Sequence, residues 1–195
     1  MRFITALAVA ASLAVLYGCG GSPTGPSGAG TLTLMLKDSP FGDAKSLLVT
    51  FSEVSAHRAD QSEGAWTKLP FAAVGVTMRT CDLKKLQTAQ DILGTGPLTA
   101  GHYTQIRLIV SSAALYFDNA TPDADPACAA TVAAPAGRTA ALEIPSGEVK
   151  LNREFDVAAT SATTILVDFD GDKSVRETGN GRFMMSPVIG IVSVQ

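Results

Sequence analysis

The 195-residue sequence is poor in the residues that mark familiar chemistries. It has two histidines, His57 and His102, and three cysteines, Cys19, Cys81 and Cys128, with no CxxC spacing. Ligands so scattered do not make a zinc site. There is no GxSxG, HExxH or Walker loop, and nothing singles out a nucleophile, a metal-bound water or a phosphate cradle. Fifteen Lys and Arg stand against 18 Asp and Glu, a net charge of −3. The basic excess that nucleic-acid binding requires is missing, so no nucleic-acid partner is expected. Aromatics make up 6%, with Trp66 the one tryptophan. The strongest apolar run, Phe3 to Leu16, has 12 apolar residues of 14. A bilayer-spanning helix needs roughly 20.

That run follows Arg2 and reads as an export signal over residues 1–18. Its end, Leu16-Tyr17-Gly18-Cys19, resembles the lipobox of bacterial lipoproteins, in which the cysteine becomes the lipidated N-terminus. Cys19 is the lipidation candidate. Residues 19–30, rich in Gly, Ser and Pro, make a tether, and 31–195 a single domain. Gly20, where an aspartate would favour retention at the inner membrane, resembles lipoproteins sorted to the outer membrane. The expected place is therefore the bacterial cell envelope, with the membrane as one partner.

The mature part alternates apolar and polar residues with period two. Leu32, Leu34 and Leu36 share one face, and Ile106, Leu108 and Val110 alternate with Gln105, Arg107 and Ile109. Leu47 to Arg58 is a long strand whose apolar phase switches near Ser52-Glu53, as at a bulge. Further strands are expected over 65–69, 74–78, 140–144, 149–151, 154–157, 163–169 and 183–194. Turns are expected at Asp38-Ser39-Pro40, Gly94-Thr95-Gly96-Pro97, Ala100-Gly101 and Pro145-Ser146-Gly147. Asp82 to Leu93 is the one helical candidate, with Asp82 as its cap. Many short strands with Gly and Pro between them indicate a β-sandwich or barrel. Cys81 and Cys128 are candidates for a disulfide in an oxidising compartment; the alternative is two unrelated buried thiols.

Several stretches occur in a telling order: Leu36-Lys37-Asp38-Ser39-Pro40, then Leu98 to Leu108 with its Ala-Gly-His-Tyr core. Ile144-Pro145-Ser146-Gly147, Val167 to Val175 and Met185-Ser186-Pro187-Val188-Ile189 follow. Together they resemble the bacterial lipoprotein family called domain of unknown function 4382. The resemblance implies an all-β, antiparallel two-sheet β-sandwich, immunoglobulin- or transthyretin-like. It carries no activity over.

Asp168-Phe169-Asp170-Gly171-Asp172 is the sharpest chemical candidate. In a strand, Asp168 and Asp170 face the same way, and Asp172 follows the Gly171 bend. Carboxylates brought together repel unless protonated, solvated or bridged by a cation. Calcium suits such oxygens, with Asp38 and Asp43 as further ligands from an early loop. The alternative is that these acids end a strand, cap turn amides and pair with Lys37, Lys173 or Arg176. Trp66, beside Lys68 and Pro70, is the candidate binding aromatic. The expected function is a non-catalytic binding or structural module in the envelope, its partner a protein or glycan. The alternatives are a metal-dependent hydrolase using Asp168 and Asp170, and a calcium-stabilised spacer.

Overall fold

The computed structural model describes residues 28–39, 42 and 44–195. The export segment, Cys19, most of the tether and Asp43 lie outside them. Thirteen strands form among the described residues: β1 (Ala29–Ser39), β2 (Ser46–Arg58), β3 (Thr67–Leu69), β4 (Arg79–Asp82), β5 (Asp91–Thr99), β6 (Gly101–Tyr116) and β7 (Cys128–Ala129). The rest are β8 (Thr139–Glu143), β9 (Glu148–Val157), β10 (Ala162–Asp170), β11 (Val175–Gly179), β12 (Arg182–Met185) and β13 (Ile189–Val194). A 3-10 turn spans Leu83–Gln87, and α1 is the single turn Gly171–Ser174.

These strands build two open sheets, a β-sandwich. The small sheet has the order β13-β10-β1-β5. The large one runs β11-β12-β8-β6-β2-β4-β7, with β3 also paired to β2 and β9 to β6. Alternation places the core. Leu32, Leu34 and Leu36 of β1 and Ile165, Val167 and Phe169 of β10 are buried from the small sheet. Leu47, Val49 and Phe51 of β2 and Ile106, Leu108 and Val110 of β6 meet them from the large one. Phe51 and Phe169 touch edge to face across the interior, with centroids 6.5 Å apart. The β2 phase switch is where the β2–β6 register slips, between Thr50 and Glu53. Tyr103 opens β6, stacks on Phe155 at 5.4 Å and donates its hydroxyl to Thr99 O at 2.8 Å. That bond pins the β5–β6 corner, as the tyrosine corner does in sandwich domains.

Most pairings are antiparallel, but β1–β10 and β12–β8 are parallel. The reason for the first is an arch. β9 lies in the large sheet, and residues 158–161 carry the chain across to the small one at the end where β1 begins. Thr31 N donates to Ser161 O at 2.8 Å and Thr160 N to Ala29 O at 2.9 Å. β10 therefore leaves that end in the direction of β1.

Other local expectations yield to tertiary contacts. The helix expected over 82–93 shrinks to the 3-10 turn, because its apolar second half, Ile92 and Leu93, pairs with β1 as β5. Gly94-Thr95-Gly96-Pro97 is strand rather than turn. Its glycines admit a crossing segment: a Cβ on Gly96 would lie 2.6 Å from Pro70 Cδ, and one on Gly94 3.1 Å from Pro70 O. Residues 74–78 form no strand. The expected strand over 183–194 splits at Ser186-Pro187-Val188, where the chain passes from the large sheet to the small.

The two sides of the sandwich differ. Beside β5, Pro70 to Ala72 closes the seam, with Thr95 N donating to Pro70 O at 3.0 Å and Phe71 bridging Gly94. Beside β13, no strand follows among the described residues. Gly96→Ala should push Pro70 away and cost ~1–3 kcal/mol by overpacking. Gly190→Ala meets open space and should be near neutral. Urea unfolding of both variants checks the contrast.

Candidate functional site

The β1–β10 register decides where the acids go. Lys37 stands opposite Asp168, Asp38 opposite Phe169 and Ser39 opposite Asp170. The pleat puts Asp168 and Asp170 on the outer face of the small sheet and turns Asp38 to the buried face. Asp168 accepts Ser39 Oγ–H at 2.8 Å and sits 3.4 Å from Lys37 Nζ. Asp170 caps α1, accepting Lys173 N–H at 3.0 Å and pairing with Lys173 Nζ at 2.7 Å. Those bonds hold its carboxyl below the usual range. Asp172 is exposed on α1. The pleat puts Asp38 on the opposite face from Asp168 and Asp170, yet the Asp168 charge is still near enough to act on the Asp38 carboxyl. Among the described residues, no three His, Cys, Asp or Glu gather as a metal-holding group.

Asp38 is the odd member. It is 4% exposed, and its Oδ2 has one long bond from Gln87 Nε2 at 3.5 Å. Its Oδ1, like Asp168 Oδ1, is buried without a hydrogen-bond partner among the described residues. Burial, helped by the nearby Asp168 charge, pushes the Asp38 carboxyl up from 3.8 to about 7, against the lowering effect of Gln87, the Gly171 amide and Lys84.

The same end of the sandwich gathers the 3-10 turn, α1 and the long loop between β6 and β7. Asp82 is fully buried and fully used: Oδ1 accepts Leu47 N–H and Lys84 N–H, and Oδ2 accepts the Thr121 hydroxyl at 2.6 Å. Ser46 Oγ accepts Thr121 N–H at 2.9 Å. Lys85 Nζ donates to Pro122 O at 2.5 Å and Asp125 O at 2.7 Å. Cys81 and Cys128, directly opposite each other on β4 and β7, form a disulfide. Asp91 of β5 accepts Cys128 N–H at 3.0 Å and pairs with the buried Arg79 of β4 at 3.3 Å, joining the two sheets. The loop is thus pinned by side chains from four elements. Beside it lies an open groove of about 480 Å³, lined by Lys45, Lys84, Lys85, Thr121, Asp123 and Asp125. Charges of both signs and hydroxyls at its rim suit a polar ligand held by hydrogen bonds. Residue spacing marked Asp82 only as a cap; its grip on Thr121, 39 positions away, leaves no local signal.

Trp66 lies on the outer face of the large sheet, half-buried. The Arg107 guanidinium covers its ring at 4.5 Å, Lys150 Nζ lies at 5.9 Å, and His57 packs against it at 5.3 Å. Below runs a charge network centred on Glu53, which takes Arg107 and Lys68, each at 2.5 Å, and the Ser55 hydroxyl at 2.9 Å. Burial alone would raise the Glu53 carboxyl; those partners outweigh it and hold it at about 2. Trp66 is therefore clad in cations rather than presented as an open aromatic platform. The Glu53–Arg107 pairing escaped the sequence reading because strand alternation shows which face a residue takes, not which strand stands beside it.

The fold and these sites define an open two-sheet β-sandwich with ordered loops gathered at one end. The chain belongs to the family described as Domain of unknown function (DUF4382), whose model matches residues 29–187. No curated protein and no solved structure matches it.

Two measurements test this end of the molecule. Reducing the disulfide, whose cysteines are 47 positions apart, should cost about 4 kcal/mol by loop-closure entropy, read as a lower urea midpoint in reductant. For Asp38, the raised native pKa means that the folded state holds a proton the unfolded state has lost between pH 3.8 and about 7. Stability should fall as pH rises through that window and then level off. Asp38→Asn should gain ~1–3 kcal/mol at pH 8 and nothing at pH 4 or below. Equal effects at both pH values in urea unfolding would remove Asp38 as the titrating group.

Proposed function

We propose that this chain is a lipid-anchored, non-catalytic binding module of the bacterial cell envelope, tethered at the outer membrane through Cys19. Its partner on this reading is an envelope protein or glycan, and the membrane holds it in place. The observation that carries the proposal is the polarity of the domain. β1 leaves Gly28 at one end of the sandwich, beside Ala100 and the 158–161 arch. The 3-10 turn, the pinned loop and α1 lie at the other, roughly 33 Å away by the length of β1. An N-terminal anchor would present that far end away from the bilayer. The loop there is tied down by Asp82, Ser46 and Lys85, and such ties lower the ordering cost of binding.

The hydrolase and calcium-spacer alternatives draw less support. Both need Asp168 and Asp170 to share a cation, whereas Lys37 and Ser39 take one oxygen of Asp168 and Lys173 engages both oxygens of Asp170.

Full-length protein expressed in a Gram-negative host should incorporate labelled palmitate and pellet with membranes. Cys19→Ala should lose both properties while the domain still folds. Membrane association that survives the substitution sinks the anchoring claim.

A further inference from the structure

We propose that the free edge of β13, with the groove between β13 and β9, receives an extended peptide strand bearing acidic residues, supplied by another protein. This deepens the binding-module reading by naming a site and a class of partner, and it rests on that reading.

β13 is the last strand of the small sheet, and among the described residues nothing pairs with its second edge. Its sequence, Ile189-Gly190-Ile191-Val192-Ser193-Val194, has no charge and no proline. Natural sheets guard exposed edges with such residues, because unpaired N–H and C=O groups template the addition of another strand. The opposite edge of the same sheet, β5, is guarded: it carries Pro97 and is covered by Pro70 to Ala72. On β13 the one irregularity is a register shift opposite Leu166 and Val167, which leaves Ile189–Ile191 regular.

The interior is also incompletely covered here. Ile189, Ile191 and Val194 pack on the core yet stay only partly buried, and Val188 and Val192 are 40% and 52% exposed. A groove of about 310 Å³ runs between Ile189–Ile191 and Lys150, Leu151 and Arg153 of β9. An added strand would find backbone partners along β13 and apolar surface beneath alternate side chains, the usual terms of strand addition.

Charge selects the occupant. Lys150 is paired with Glu148 at 2.9 Å. Arg153 is exposed at the groove with no ion pair among the described residues. An acidic side chain on the incoming strand would supply its partner. Two-fold pairing of β13 with β13 of a second copy would instead bring the Lys150 and Arg153 of both copies to one seam, so a different chain is favoured.

The test uses detergent-solubilised full-length protein and three end-blocked peptides. The first alternates valine and threonine with two glutamates, the second carries lysines in their place, and the third is the acidic peptide N-methylated at alternate residues. The acidic peptide should bind about tenfold tighter than the basic one, and Arg153→Glu should reverse the order. N-methylation should abolish binding, since it removes main-chain donors without altering the protein. Hydrogen exchange should slow at 189–194 when the acidic peptide is added. Equal binding of acidic and basic peptides, indifference to N-methylation, or protection elsewhere overturns the proposal. A concentration-dependent dimer with β13 already protected overturns it in favour of a second copy. Cys19-dependent anchoring is read separately, so failure here leaves the anchored-module reading distinguishable.

Discussion

The parallel contact of β1 with β10 is the interaction on which the rest of the structure depends. It joins the first strand of the domain to one more than 120 residues later, at the centre of the small sheet. Both strands turn an unbroken apolar row inward, so their pairing creates half of the core at once. Everything from β2 to β9 becomes the excursion that closes the other half. The same register sets Lys37 beside Asp168 and Ser39 beside Asp170, and it buries Asp38 at the strand end. A one-residue slip would exchange the two faces and expose the leucine row of β1.

Polar groups inside and over this frame are unequally satisfied, and the inequality separates scaffold from working surface. Asp82 uses both oxygens and clamps a loop far away in sequence. Glu53 neutralises two cations on the outer face and leaves Trp66 beneath Arg107. Such groups are committed to holding the fold. Asp38 is not: one of its oxygens has no partner among the described residues, and its elevated pKa is the cost of that burial. Arg153 is its counterpart at the surface, a charge without an ion pair among the described residues, beside an edge they leave unpaired.

The asymmetry of the two seams follows from small residues. Gly94 and Gly96 read locally as a turn, yet Pro70 comes too close for a side chain at Gly96 and tightly close at Gly94. The crossing covers the β5 edge. Among the described residues no comparable segment pairs with β13, so there the sandwich is covered on one side and open on the other. The helix expected after Asp82 failed for a related reason. Ile92 and Leu93 fit an amphipathic helix, but β1 offers the segment a ladder that buries Leu93 while Ile92 stays exposed, and the ladder wins beyond the first turn.

Period-two alternation in β1, β2, β6 and β10 was legible without coordinates, because which side chains share a face depends only on the backbone repeat. So were the bulge near Ser52 and the all-β class. The capping role of Asp170 was legible too, since it needs only the residues that follow it. Partners were not. Which strand lies beside which, whether a pair runs parallel, and that Asp38 faces away from Asp168 are set by long-range packing that no local pattern encodes. The same holds for Asp82 with Thr121, Glu53 with Arg107, and the edge of β13 left bare. A chain's local repeat fixes the direction of a side chain; only the folded neighbourhood supplies what it meets there.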